Sequence, residues 1–261
     1  MKNSNLPIEI ILKFSSVILI LILMVFWEIF IKYYQIPQYI LPAPSFIIIT
    51  LINDWPILLP AMANTLEIAF LGFLLASTGG ILIALVMTYS KIIQRSVLPL
   101  AIILQVTPIV AIAPLIIIYV DNTKVALLLC VWLVAFFPVL TNSIFGLNSV
   151  NADLIDLFKL YKASKFKTLV HLRIPNSIPS IVAGLKVSAG LSLIGAVVAE
   201  FAAGSGGSES GLAFRILEAG YRLNIPRMFA CLFLLAIIGI LFHKIIEFLS
   251  QRVLVKYINF D

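Results

Sequence analysis

Residues 156–175 read DLFKLYKASKFKTLVHLRIP, a polar, basic run in a chain that is otherwise apolar. Five cations fall inside it: Lys159, Lys162, Lys165, Lys167 and Arg173. It lies between two apolar segments, 125–145 and roughly 178–203. A polar loop of this size between two membrane spans must face water. A water-soluble partner has its natural grip on the chain here.

The surrounding composition supports that setting. Of 261 residues, 62% are hydrophobic and 11% charged, whereas soluble domains carry about 25% charged residues. The chain therefore reads as an all-α integral membrane protein. Its surplus of six positive charges fits cations collecting on the cytoplasmic side of a membrane and does not suggest nucleic acid. Cys130 and Cys231 both fall in apolar segments. They offer no disulfide framework or metal spacing and read as small packing residues.

Outward from the loop, six spans are expected: 14–31, 65–89, 97–120, 125–145, about 178–203, and one within 227–250, each near the ~20 residues a ~30 Å hydrocarbon core requires. The first is too long for a signal core and has no small-x-small cleavage site after it, so it reads as a retained helix. Residues 36–60 hold Pro37, Pro42, Pro44 and Pro56 and read as an outer loop. The third span carries Pro99, Pro108 and Pro114, which spans tolerate where neighbours or water satisfy the freed backbone. Pro175 and Pro179 are expected to break the chain before the fifth span. Residues 204–226 read as a second outer loop, flexible where Gly and Ser cluster.

Six spans put both termini on one side. Twelve of the eighteen cations fall on that side and five on the other, with Lys186 inside the fifth span. The positive-inside rule then makes both termini cytoplasmic. The chain has no internal repeat and reads as a single transmembrane domain over 1–261, with a core of about 60–250.

Few residues suggest chemistry. There is no Gly-x4-Gly-Lys-Ser/Thr phosphate loop, no Gly-x-Ser-x-Gly elbow and no ligand spacing between His171 and His243. No catalytic, cofactor-binding or metal site is expected. Small residues recur four apart along the fifth span: Gly184, Ser188, Ser192 and Ala196, with Gly195, Ala199 and Ala203 in a second row. Such rows let helices approach closely, within the chain or at a subunit interface or pathway. Glu28, Glu67 and Glu200 lie near outer span ends, with structural or pathway-lining roles open to each. Lys186 is placed to snorkel towards the inner surface.

Within the basic loop, 151–164 can form a short amphipathic helix, with Leu154, Leu157, Phe158 and Tyr161 at helical spacing and Asp153 and Asp156 towards its N-terminal end. Such a helix lies on lipid headgroups or plugs into a protein groove.

This loop resembles that of the permease subunits of binding-protein-dependent ABC (ATP-binding cassette) importers, whose signature is Glu-Ala-Ala-x3-Gly-x9-Ile-x-Leu-Pro. The same frame holds Asp156-Leu157-Phe158, then Lys162, then Leu172-Arg173-Ile174-Pro175. Flanking text is similar to the nitrate/sulfonate/taurine branch: Leu41-Pro42-Ala43-Pro44-Ser45, Ala163-Ser164, Ala183-Gly184-Leu185-Lys186 and Val198-Ala199-Glu200-Phe201. The resemblance runs from about Trp27 to Val253.

The resemblance implies a type I importer permease fold in a bacterial plasma (inner) membrane, with residues 151–175 as the cytoplasmic coupling loop. Asp156, Leu157, Phe158, Lys162, Ala163, Ser164 and Pro175 would dock a separate ATPase homodimer, which binds the ATP. An extracytoplasmic binding protein would deliver solute. A second copy of the chain would complete the pathway, within membrane lipid. Implied solutes are nitrate, sulfonates, taurine or a vitamin precursor. Lysine replaces the motif glycine at 162, a substitution costing about 1 kcal/mol if that position needs φ > 0. The alternatives are a stand-alone secondary transporter or channel, which often shows inverted repeats and midplane charges, and an intramembrane enzyme, which needs a catalytic constellation.

Overall fold

The computed structural model describes residues 6–204 and 210–258; Lys2 and most of the Gly/Ser run, 205–209, lie outside them. Helices α1 (Leu6–Tyr34), α3 (Trp55–Tyr89), α6 (Thr123–Asn148), α9 (Ile174–Ala203) and α11 (Ile225–Ile258) are long and apolar enough to cross a membrane. The expected third span is broken. Helix α4 (Lys91–Val106) and helix α5 (Ile109–Tyr119) meet at 99°. Proline explains the break: Pro108 lacks an N–H and pushes Thr107 out of helical conformation, to φ −73° and ψ 124°. No strand occurs among the described residues.

Three loop expectations are corrected. Within residues 36–60, α2 (Pro44–Asn53) forms and α3 already starts at Trp55. Pro44 and Pro56 stand in first turns, where the missing N–H has no helical partner to lose. Pro175 likewise sits in the first turn of α9 and Pro179 is absorbed inside it. A short helix α8 (Lys165–Thr168) and one wide π turn (Leu169–Arg173) lead straight into α9, so residues 165–203 run as one helical path. The second outer loop contains α10 (Leu212–Tyr221).

The chain divides into two compact units. The first comprises the described part of Met1–Leu59 together with Arg215–Phe233. In it, Trp27 of α1 packs its ring on Phe229 and Phe233 of α11, with centroids 5.7 and 6.3 Å away. The Glu28 carboxylate accepts from the N–H (3.0 Å) and Oγ (2.8 Å) of Ser45 in the first turn of α2 and pairs with Lys32 at 2.8 Å. A carboxylate there complements the free N–H groups of a helix start. Arg227 grips Asp54 through two nitrogens at 2.6 and 2.9 Å.

The second unit comprises Pro60–Phe214 and Leu234 to the end of the described chain. Its centre is the α6–α9 pair, brought together by small residues. A Cβ on Gly184 would lie 2.8 Å from the Pro138 carbonyl oxygen, and one on Gly195 would lie 3.1 Å from the Val131 Cα. Ser188 Oγ donates to the Ala135 carbonyl at 2.7 Å, Ser192 Oγ to Ala189 of its own helix at 2.8 Å, and Ala196 is fully buried beside Val131 and Cys130. Helix α3 closes on the same pair through Gly72 and Gly80, which face Val131 and Val139.

Candidate functional site

The loop between α6 and α9 folds as a helix with an orderly stop. Helix α7 (Ala152–Leu160) starts at Asn151, whose Oδ1 accepts from the Asp153 N–H at 3.0 Å. Asp153 stands in its first turn and Lys159 in its last, the arrangement that suits the helix dipole. Asp156 and Lys159 pair at 2.7 Å on the exposed face.

The end of α7 explains the glycine in the signature. The Ala163 N–H bonds back to the Phe158 carbonyl and the Lys162 N–H to the Lys159 carbonyl, both at 2.9 Å. That crossed pair is a Schellman stop, which holds its central residue in left-handed conformation. Lys162 has φ +53°. Glycine adopts this conformation freely, whereas a side chain there costs about 1–2 kcal/mol. The loop has kept the turn and accepted the strain. The helix therefore ends at Leu160, short of the expected 164.

After the turn, Ser164 Oγ accepts from the Lys167 N–H at 3.3 Å to start α8. Arg173 then reaches the Leu147 carbonyl (3.3 Å) and Asn148 Oδ1 (3.1 Å) at the end of α6, and Asn176 reaches Ser149 Oγ at 3.1 Å. The loop is thus tied at its base to both flanking spans. In the sequence Arg173 holds only a motif position, because a donor fork directly before a helix gives no signal of its target.

Helix α7 buries none of its residues. Its stripe stays open instead: Leu154 is 43% exposed, Leu157 44% and Tyr161 81%, with Phe158 half-buried. Asp156, Leu157, Phe158, Lys162, Ala163 and Ser164 thus gather on one short helix and its cap. Pro175 stands apart from them, exposed at the start of α9.

The other named residues are placed elsewhere. Gly184, Ser188, Ser192 and Ala196 lie on the buried face of α9 described above. Glu200 is 5% exposed. One of its oxygens accepts from Thr65 Oγ1 at 2.8 Å and the other from the Ala213 N–H at 3.0 Å, while Thr65 Oγ1 accepts from the Leu212 N–H at 2.8 Å. Glu200 and Thr65 together cap the start of α10. Gly211 is required beside them, because any Cβ there would collide with the Glu200 carboxyl. Glu67 pairs with Lys124 at 2.6 Å at the water-exposed end of α6. Lys186 is half-buried on α9.

The family model of the binding-protein-dependent transport system inner membrane component matches residues 76–255, which include the whole loop. The chain belongs to this family. It is the permease subunit of an ABC importer and a multi-pass protein of the bacterial plasma membrane, not a stand-alone transporter. The permease is 31% identical to the formylaminopyrimidine transport permease ThiX of Halalkalibacterium halodurans, over 85% of this chain and 87% of that one. It is 26% identical to the riboflavin transport permease RibX of Chloroflexus aurantiacus, over 91% and 88%. With the nitrate import permease NrtB of Synechococcus elongatus it shares 23%, over 72% and 67%. These relatives are named for chemically unlike solutes, while the permease role is common to all three.

Proposed function

We propose that α7 is the coupling helix of this permease, docking in a groove of a separate ATPase that binds and hydrolyses the ATP. One observation carries the reading: an amphipathic helix between two spans has no fully buried residue, and Leu154 and Leu157 of its apolar stripe stand exposed. Exposed apolar stripes of this kind seat in hydrophobic grooves. The five cations around the stripe favour the cytoplasmic face, where both termini also belong. Two permease copies would each present one such helix to an ATPase homodimer. Closure of the ATPase pair would move the helices, and the ties from Arg173 and Asn176 would pass that motion to α6 and α9. A solute-binding protein would deliver cargo on the far side, and the solute would be a small nutrient of the nitrate, sulfonate, taurine or vitamin-precursor class.

The test is co-purification. The permease with Asp156–Ser164 deleted, and separately Asp156→Lys and Leu157→Asp, is expressed with its ATPase. Normal membrane insertion with loss of the ATPase from the purified complex is expected. Undiminished ATPase recovery after the deletion overturns the proposal.

A further inference from the structure

The break between α4 and α5 packs against the middle of α6. A cavity of about 410 Å³ elsewhere in this unit is lined by apolar side chains with two serines and a threonine, but the cavity at the break differs in kind. It measures about 320 Å³ and is lined by residues 104–109 and Ile112, by Leu133, Val134, Phe137 and Pro138 of α6, and by Leu191 of α9. Leu133 is ten residues from the start of α6 and Pro138 ten from its end. At 1.5 Å per residue, each is about 15 Å from an end, half the ~30 Å hydrocarbon thickness.

Gln105, Val106, Thr107 and Pro108 are all exposed at this depth. Thr107 Oγ1 donates to the Ile103 carbonyl at 2.7 Å. The Gln105 carboxamide has no hydrogen-bond partner within the described chain. Proline also frees backbone here: Pro138 leaves the Val134 carbonyl without its helical donor, and the first N–H groups of α5 have no helical acceptor. Irregular backbone at membrane depth is tolerated only inside protein or on a water-filled cavity, and a lipid-facing amide without a partner is strongly disfavoured.

We infer that this cavity is a solute-contacting subsite of the water-filled pathway and that Gln105 is its specificity-determining residue. This rests on the permease reading above. The chemistry narrows the solute. No lining residue is ionisable, so nothing in the cavity neutralises a full charge; the start of α5 supplies at most about half a unit charge. The available groups are mixed: amide N–H donors, free carbonyl acceptors and the two-way carboxamide of Gln105. Apolar walls from Phe137, Leu191 and Ile112 complete it. A small uncharged heteroaromatic solute bearing both donors and acceptors fits this set, and its size suits a cavity at the low end of the roughly 300–1,000 Å³ of ligand pockets. Nitrate, which offers only acceptors, meets the free carbonyls unfavourably. The formylaminopyrimidine named for one relative belongs to the favoured class.

Two measurements on the complete transporter test this. In a permease whose Cys130 and Cys231 are replaced by alanine, Gln105→Cys is treated with a membrane-impermeant, charged methanethiosulfonate. Thiols react with it only in water, and mass spectrometry reads the adduct. Modification is expected in at least one nucleotide state of the ATPase. No modification in any state, while an Asp121→Cys control is labelled, overturns the pathway assignment. In the second measurement, cells expressing the whole system are offered labelled formylaminopyrimidine, riboflavin, nitrate and ethanesulfonate. Formylaminopyrimidine uptake is expected, falling about tenfold in Gln105→Leu at equal membrane levels, the effect of one lost hydrogen bond. Uptake of nitrate or sulfonate without the pyrimidine, or of none of the four, overturns the solute class. Undiminished pyrimidine uptake in Gln105→Leu overturns the role of Gln105. Loss of ATPase docking sensitivity in α7 would instead sink the coupling-helix reading and leave these results standing.

Discussion

Replacing Glu200 with alanine tests whether its carboxyl is a structural clasp. In the native arrangement it takes the Thr65 hydroxyl at 2.8 Å and the Ala213 N–H at 3.0 Å, with the Phe214 amide also on it. Removal leaves these groups unevenly affected. The Thr65 hydroxyl has a fallback, the Ala61 carbonyl at 3.2 Å, so its loss is small. The Ala213 amide loses its acceptor, and a buried donor left unsatisfied costs about 1–3 kcal/mol. The expected destabilisation is therefore about 2 kcal/mol, or roughly 4–8 °C in Tm for a chain of this size. Thermal unfolding in detergent, followed by intrinsic fluorescence, measures it. Thr65→Val should cost less alone, and the double variant should cost less than the two single losses added, because both side chains serve one cap. A Glu200→Ala protein melting within a degree of wild type, or strictly additive losses, would refute the clasp.

Three further outcomes are expected. Lys162→Gly should relieve the left-handed strain at φ +53° and stabilise the end of α7 by about 1 kcal/mol, read as slower amide exchange at 159–163; unchanged or faster exchange contradicts the Schellman stop. Gly184→Ala should destabilise by about 1–3 kcal/mol, since its Cβ would meet the Pro138 oxygen at 2.8 Å and the Asn142 Cβ at 2.9 Å; a Tm equal to wild type would show that α6 and α9 are not in close contact. The Glu218 carboxyl is held below the ordinary carboxylate range, first by its hydrogen bond from Arg215. A depressed folded-state value stabilises above the ordinary Glu range near 4.3 and fades as pH falls through the folded value. Protection of α10 amides should drop over that acidic window, and Glu218→Gln should flatten the profile.

The two loops of prolines show where local reading fails. Pro44, Pro56, Pro175 and Pro179 carry the same local signal as Pro108, yet only Pro108 breaks a span. Pro44, Pro56 and Pro175 fall in first turns, and Pro179 is carried inside α9 without turning the chain. Position within a helix decides the effect, and that position depends on where the helix starts. Gln105 drew no attention for the same reason: in an unbroken span one glutamine can turn towards a neighbour.

Composition alone determined that this chain lives in a membrane, because 62% hydrophobic residues leave too few polar groups to cover a water-soluble surface. Charge distribution and the spacing from Asp156 to Pro175 likewise marked the polar loop, since both are properties of the chain order. Tertiary structure decided the rest. It made Glu200 a cap rather than leaving it near an outer surface, because its oxygens meet the start of a helix that is twelve residues further along the chain. It bent the third span and opened a cavity beside the middle of α6, because which freed backbone groups find partners depends on neighbours distant in sequence.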